Sequence, residues 1–244
     1  AHLHHPNIIQ IYDVGFSNDY HYFVMEYVGG QPVSDILQKD GCLKEKRALQ
    51  IVACVASALD VAWSGSQVIH RNIKPSNIRI DDDGSVKLQY LGLSLHPQPL
   101  NRQQGSIDIA GTPYYMAPEQ ANGQELDFRA DMYALGGTLY HMLTGQMPFG
   151  DSSPQDALRD QIEAQLPYPR ELNPSLSAAT SFLIAKLMMK SADERYSSWS
   201  KAIAAIKKVR TGKLMVSHPT PSGNSTIAPP GGSPTLVSIG APAP

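Results

Sequence analysis

The order in which short strands give way to helices constrains the fold of this chain more than any other feature. Residues 8–12 and 22–25 are β-branched or aromatic runs on either side of a polar turn, which predicts a β-hairpin. A second, shorter hairpin is predicted where residues 77–80 and 86–88 flank the turn at 82–84. Strand patterns are therefore confined to roughly the first third of the chain.

Helical spacing dominates the rest of the sequence. Apolar residues recur at helical intervals over residues 49–63, and further helices are predicted around residues 132–143, 182–189 and 199–209. Residues 93–113 show no period and are predicted to form a long loop. A few strands followed by a mass of helices predict an α+β fold.

Composition divides the chain into a folded part and a linker. The chain has 244 residues, 42% of them apolar, and a net charge of −2, which suits a globular fold and gives no overall positive charge to attract nucleic acid. Residues 217–244 contain no charged side chain and are rich in Pro, Gly, Ser and Thr. Such a segment cannot bury enough apolar surface to order itself, so residues 211–244 are predicted to be a disordered linker.

Cysteine content and hydropathy suggest a compartment. Cys42 and Cys54 are too few for a disulfide framework, which favours a reducing environment. No apolar stretch reaches the roughly 20 residues of a membrane-spanning helix. We therefore expect a cytoplasmic location, either free or as the cytoplasmic part of a protein whose membrane span lies beyond residue 244.

The motifs that carry chemistry lie between residues 68 and 119. Residues 68–77 read Val-Ile-His-Arg-Asn-Ile-Lys-Pro-Ser-Asn, which resembles the catalytic loop of protein kinases, and Asn77 follows position 72 at the family's spacing. Residues 90–92, Tyr-Leu-Gly, stand where the family has Asp-Phe-Gly, and residues 117–119 match its Ala-Pro-Glu element.

These motifs, in the correct order, make the chain similar to a bacterial-type Ser/Thr protein kinase. The resemblance implies a protein-kinase-like fold in which residues 1–28 are the last strands of the N-lobe and the hinge, and residues 29–210 are the mainly helical C-lobe. The Gly-rich loop, the strand Lys and its Glu partner would all precede residue 1, so most of the N-lobe is expected to be absent from the chain.

The resemblance implies ATP and Mg²⁺ as cofactors and assigns the catalytic positions. Asn72 replaces the Asp that accepts the substrate proton, and an amide cannot take a proton at neutral pH. Lys74 would neutralise the transferred phosphoryl group, and Asn77 would hold one Mg²⁺. Tyr90 replaces the Asp that binds the metal, and a neutral phenol is a poor ligand for a hard cation.

The nucleotide pocket departs from the family at one further position. Met25 would lie at the back of the pocket, and the backbone of Glu26 and Val28 would meet adenine. Arg79 stands where the family has an apolar residue under the purine, and it is expected to fill or distort the pocket.

A last group of positions matches residues that are structural in the family. Arg71 is in addition the family's receptor for an activation-loop phosphate, and Glu119 is expected to form a buried ion pair with Arg195. The group comprises His70, Arg71, Gly92, Thr112, Glu119, Asp131 and Arg195.

Three functions remain open from the sequence. The departures at positions 72, 79 and 90 favour a pseudokinase that binds protein partners as a scaffold or regulator. Lys74, Asn77 and the Ala-Pro-Glu element leave a weakly active Ser/Thr kinase as an alternative. An inactive, truncated fragment is the third. Two metal hypotheses are set aside: the histidines at 2, 4 and 5 are expected to lie in a loop, and residues 81–84 in a hairpin turn.

Overall fold

A computed structural model describes residues 3–17, 20–89, 113–150 and 153–213. Within these residues, five strands form two small sheets: β1 (Ile11–Ser17) pairs with β2 (Tyr20–Met25), and β3 (Gln31–Pro32), β4 (Ile78–Ile80) and β5 (Val86–Leu88) form the second sheet in that order. Both sheets are antiparallel.

Eight α-helices account for just under half of the described residues. They are α1 (Val33–Asp40), α2 (Glu45–Ser66), α3 (Pro118–Ala121), α4 (Phe128–Thr144), α5 (Pro154–Glu163), α6 (Pro169–Leu172), α7 (Ala178–Leu187) and α8 (Trp199–Arg210). Short 3₁₀ turns lie at Pro75–Asn77, Pro113–Tyr115 and Ala192–Glu194.

The core is built around α2 and α4. Helix α2 packs against both α4 and α8, and α4 also packs against α7. Nearly all of α4 is buried from Ala130 to Leu143, including two glycines: a methyl group at Gly136 would lie 2.8 Å from Leu187 Cβ, so only glycine admits α7 this close. This helical body is the platform on which the loop of residues 70–77 rests.

Contrary to the expectation that no apolar stretch is long enough, helix α2 has the length and hydropathy of a membrane span. It has 22 residues, with a mean hydropathy of 1.5 over its most apolar window, and half of that window is buried inside the protein. Its buried face of aliphatic residues is the central surface of the core, as expected for the core helix of a globular fold.

The observed strands and helices are of the types predicted from the sequence, but their number and bounds differ. Both predicted hairpins and the four predicted helices are present, and the structure adds β3, α1, α3, α5 and α6. The first hairpin was placed too early, because Ile8 and Ile9 leave it to join Leu88: Ile9 N–H donates to Leu88 O at 3.0 Å. The predicted loop at 93–113, apart from its last residue, and the linker from residue 214 lie outside the described residues.

Candidate functional site

The loop that carries the candidate site is held by one buried carboxylate. Asp131, in the first turn of α4, accepts hydrogen bonds from the backbone N–H groups of His70 (2.7 Å) and Arg71 (2.8 Å). Arg71 has φ = 66°, a left-handed conformation that is costly for a side chain other than glycine. The two charge-assisted hydrogen bonds offset this cost, and they fix the path of the loop.

Burial sets the protonation behaviour of Asp131. Desolvation raises its pKa to about 7, while the two amide donors and the charge of Arg71 act in the opposite direction. Asp131 is 2% exposed, and its two oxygens each accept one backbone N–H group of the loop.

His70 is a fully buried structural residue of the loop. Its Nε2 lies 2.7 Å from Gln89 O, and Asn72 N–H donates to its Nδ1 at 3.3 Å. This arrangement fits the neutral tautomer that carries its proton on Nε2. Burial lowers the pKa of His70 to about 4, so the ring is neutral at physiological pH. The contacts of His70 are those of a packing residue and not of an acid or base.

The three predicted catalytic positions converge around the 3₁₀ turn. Asn77 is buried and its Nδ2 donates to Asn72 O at 2.7 Å, while its backbone N–H donates to Lys74 O at 3.0 Å. Gln89 N–H donates to Asn77 O at 2.9 Å, which joins the loop to the end of β5. Lys74 is half-buried, and this burial lowers the pKa of its ammonium group.

Among the described residues, the predicted catalytic positions 72, 74 and 77 offer no carboxylate for Mg²⁺. Asn72 and Asn77 offer neutral amide oxygens, whereas Mg²⁺ is held in proteins mainly through carboxylates. Tyr90, the other predicted ligand, lies outside the described residues, and so do Gly92 and Thr112. Within the described parts of the chain, no group of three or more His, Cys, Asp or Glu side chains could hold a metal ion.

The predicted hinge follows β2 directly. Met25 ends the strand half-buried, and Val28 is 6% exposed. The side chain of Glu26 forms a salt bridge with Lys87 (2.5 Å) and accepts from Gln10 N–H (3.2 Å). Burial would raise the pKa of Glu26, but the contacts with Lys87 and Gln10 lower it overall.

Arg79 is tied to the segment that follows the hinge. Its Nη2 donates to Gly29 O (3.1 Å) and to Gly30 O (2.9 Å), which connects β4 to the chain entering β3. Its Nε is buried and has no hydrogen-bond partner. Arg79 is therefore fixed against the chain that follows the hinge, while its predicted effect on a nucleotide pocket stays a prediction.

The Ala-Pro-Glu element is anchored by a bidentate ion pair. Glu119 accepts from both terminal nitrogens of Arg195, at 2.5 and 2.8 Å. The Arg195 side chain is fully buried and also donates to the carbonyls of Met189, Arg129 and Lys190. Gln120, next to Glu119, donates to Arg71 O at 3.1 Å, so this element also supports the loop.

A groove beside the loop was not predicted from the sequence. It encloses about 420 Å³ between α1, the loop, the Pro113–Tyr115 turn and the end of α4. Tyr115 Oη lies 2.5 Å from His141 Nδ1 in its wall. Buried Gln161 of α5 supports the same wall, because it donates to Pro113 O and Tyr114 O and accepts from Tyr133 Oη. The sequence signal for Gln161 was its position four residues after Ala157, which places both residues on the buried face of α5.

Comparisons with known proteins identify the family of the chain. A family model described as protein kinase domain matches residues 1–209. The chain is 34% identical over 210 residues to a probable serine/threonine-protein kinase of Clostridium perfringens, and 36% identical over 206 residues to serine/threonine-protein kinase PrkC of Bacillus subtilis. It is 33% identical over 218 residues to serine/threonine-protein kinase PknB of Mycobacterium leprae.

The matches cover most of this chain and a minor part of each relative. They include 86%, 84% and 87% of the chain, and 30%, 31% and 35% of the respective relatives. The chain thus spans about a third of the length of the curated relatives it matches.

Proposed function

Since the chain belongs to the protein kinase domain family, we propose that it is a Ser/Thr-kinase-like binding or regulatory module with little or no phosphotransfer. The observation that carries the proposal is Asn72. It occupies the position of the family's proton acceptor, in a loop whose path is held by Asp131. An amide there retains an acceptor oxygen but cannot remove a proton from a substrate hydroxyl at neutral pH.

Two further departures support the same proposal. The family uses ATP and Mg²⁺, and phosphoryl transfer depends on placing charge around the phosphates. The phenol at position 90 and the neutral donors of Asn72 and Asn77 would anchor Mg²⁺ weakly. The guanidinium of Arg79, fixed to Gly29 and Gly30, would hinder adenine. An active enzyme would have to compensate for three replacements at once: those of the proton acceptor, the metal ligand and the residue under the purine.

On this proposal the folded surface acts by binding protein partners in the cytoplasm. The buried anchors of the loop and of the Ala-Pro-Glu element maintain a rigid kinase-like surface without requiring catalysis.

A phosphotransfer assay tests the proposal directly. The full-length protein is incubated with Mg²⁺ and ATP labelled at the γ-phosphate, together with a generic acceptor protein, and incorporation is compared with that of Lys74→Ala. We expect no difference between the two. Incorporation that exceeds the Lys74→Ala background would refute the proposal. The double variant Asn72→Asp/Tyr90→Asp restores both acids and serves as the gain-of-function comparison.

A weakly active kinase is the second candidate. It is favoured by the intact loop geometry, in which Asn77 binds Asn72 O and the backbone carbonyl of Lys74. It requires nucleotide binding, and a ligand that binds only the folded state raises the melting temperature. A clear rise in Tm at millimolar Mg-ATP would favour this candidate, and an unchanged Tm would favour the binding module.

A further inference from the structure

Positive charge is concentrated in and just after helix α8. Residues 198–213 contain no Asp or Glu and five basic residues, which are Lys201, Lys207, Lys208, Arg210 and Lys213. The whole chain has 20 basic and 22 acidic residues, so the rest of the chain is acidic overall. A charge asymmetry of this kind within one chain indicates a nucleic acid or a membrane as partner.

The packing of α8 directs these charges outward. The helix packs against α2 and α7, and its buried residues are Trp199, Ala202, Ile206 and Val209. The five basic residues lie off this buried face, and all five are exposed. We refer to the four that lie closest together in sequence as the α8 basic surface, which comprises Lys207, Lys208, Arg210 and Lys213.

The α8 basic surface is not neutralised by acidic side chains of the described residues. None of the salt bridges found there includes one of its four side chains. The macrodipole of α8 favours cations in its last turn and is a sufficient reason for one or two of them. It does not account for Lys213, which lies beyond the end of the helix, or for the lack of any acid in residues 198–213.

The features that nucleic-acid binding uses are missing from this surface. Single strands stack their bases on exposed aromatic side chains, and the one aromatic residue of this stretch, Trp199, is 2% exposed. The major groove of a duplex admits a helix that projects from the fold, whereas α8 packs against α2 and α7. In the sequence, Leu-Met-Val follows directly at 214–216. A bilayer is the polyanion that offers apolar material beneath its charged headgroups.

We propose that the α8 basic surface binds the headgroups of an anionic lipid bilayer. Attraction to such a surface acts within about 8 Å at physiological salt, a distance that exposed Lys and Arg side chains can cover. Each cation near the headgroups strengthens binding roughly fivefold, so four of them give a reversible association of the whole fold with the membrane. The inference goes beyond the proposed function, since it concerns where the module is held and not what its candidate site binds.

Co-sedimentation of the full chain with lipid vesicles measures this association. The vesicles contain equal parts of phosphatidylglycerol and phosphatidylcholine, or phosphatidylcholine alone. We expect the chain to sediment with the anionic vesicles at low ionic strength and to be released as salt is added, because salt screens exposed charges. Binding to neither kind of vesicle, equal binding to both, or binding that salt does not weaken would overturn the inference.

Matched variants locate the contact. Lys207→Gln/Lys208→Gln removes two charges from the exposed last turn of α8 and should weaken binding to the anionic vesicles by roughly tenfold or more. Lys39→Gln/Lys44→Gln removes the same two charges from exposed positions between α1 and α2 and should leave binding unchanged. An equal loss in both double variants would overturn the assignment to α8.

The role of charge is tested at the same two positions. Lys207→Arg/Lys208→Arg keeps both positive charges and should retain the binding of the wild type. If this variant binds as weakly as Lys207→Gln/Lys208→Gln, the contact does not depend on charge and the inference fails.

Competitors decide the class of polyanion. Duplex DNA or polyglutamate is added to the vesicle-bound chain at the same total concentration of negative charge as the lipid. We expect the chain to stay with the vesicles, and release of most of it by either competitor would overturn the commitment to a bilayer. No nucleotide is present, so these results and the phosphotransfer result can fail independently of each other.

Discussion

Removing the charge of Glu119 should destabilise the fold strongly, because it leaves a buried cation without its counter-ion. The Arg195 side chain is 0% exposed and that of Glu119 is 13% exposed, so neither group recovers much hydration when its partner changes. Glu119→Gln keeps the size of the side chain. It replaces one acceptor oxygen by an NH₂ group that faces the N–H groups of the guanidinium.

The expected magnitude follows from this burial. Breaking a buried ion pair by removing one partner costs about 3–5 kcal/mol. For a domain of this size, that corresponds to a fall in Tm of roughly 6–20 °C. The three carbonyls that accept from Arg195 remain in Glu119→Gln, which places the estimate toward the lower end.

Urea unfolding at neutral pH, followed by circular dichroism, measures this free energy. Glu125→Gln is the matched control, since Glu125 is exposed and the substitution is chemically identical. The loss in Glu119→Gln should persist at high salt, because a buried pair is screened less than an exposed one. If Glu119→Gln costs less than about 1 kcal/mol, as exposed pairs do, the reasoning from burial is wrong.

Three further perturbations have defined outcomes. The pKa of buried His70 is about 4 and that of the unfolded side chain is 6.5, so its contribution to stability is fully present above pH 6.5 and is lost as pH falls toward 4. The free energy of unfolding of the wild type should therefore fall by about 3 kcal/mol relative to that of His70→Gln over that range. Parallel plots of the two free energies against pH would contradict this. Arg79→Met should raise the affinity for a fluorescent ATP analogue, measured by titration against wild type and an exposed control, Arg159→Met; an unchanged affinity would show that the guanidinium does not hinder the pocket. Tyr12 and Phe16 of strand β1 are 66% and 61% exposed, so replacing both with Lys should reduce self-association of the chain in light scattering. Unchanged scattering would exclude these two side chains as the cause.

The sequence predicted the elements whose patterns are long or repeated. Helices α2, α4, α7 and α8 have apolar faces that recur over several turns, so local spacing reveals them. Helices α3 and α6 have four residues each, and strand β3 has two, which is too short for any period to appear. Ile8 and Ile9 had strand-like composition, but their pairing with Leu88 depends on contacts about 80 residues apart.

The candidate site likewise contains some residues that the sequence identified and others that only the structure reveals. The family resemblance placed Asn72, Lys74 and Asn77 at one loop, and the structure brings them together around Pro75–Asn77. It also identified Asp131, although the reason for its burial is visible only in three dimensions, where it accepts from two consecutive amides. Gln161 and the Tyr115–His141 pair have no short motif, because their partners come from distant elements.

The anchoring of the loop by Asp131 separates the shape of the site from its chemistry. The carboxylate contacts main-chain N–H groups, which every residue except proline possesses. Side chains at the loop can therefore change without altering the course of the backbone. A chain built in this way can exchange a catalytic acid for an amide and still present the same surface to a partner. The same fold can therefore retain partner binding after it has lost catalysis.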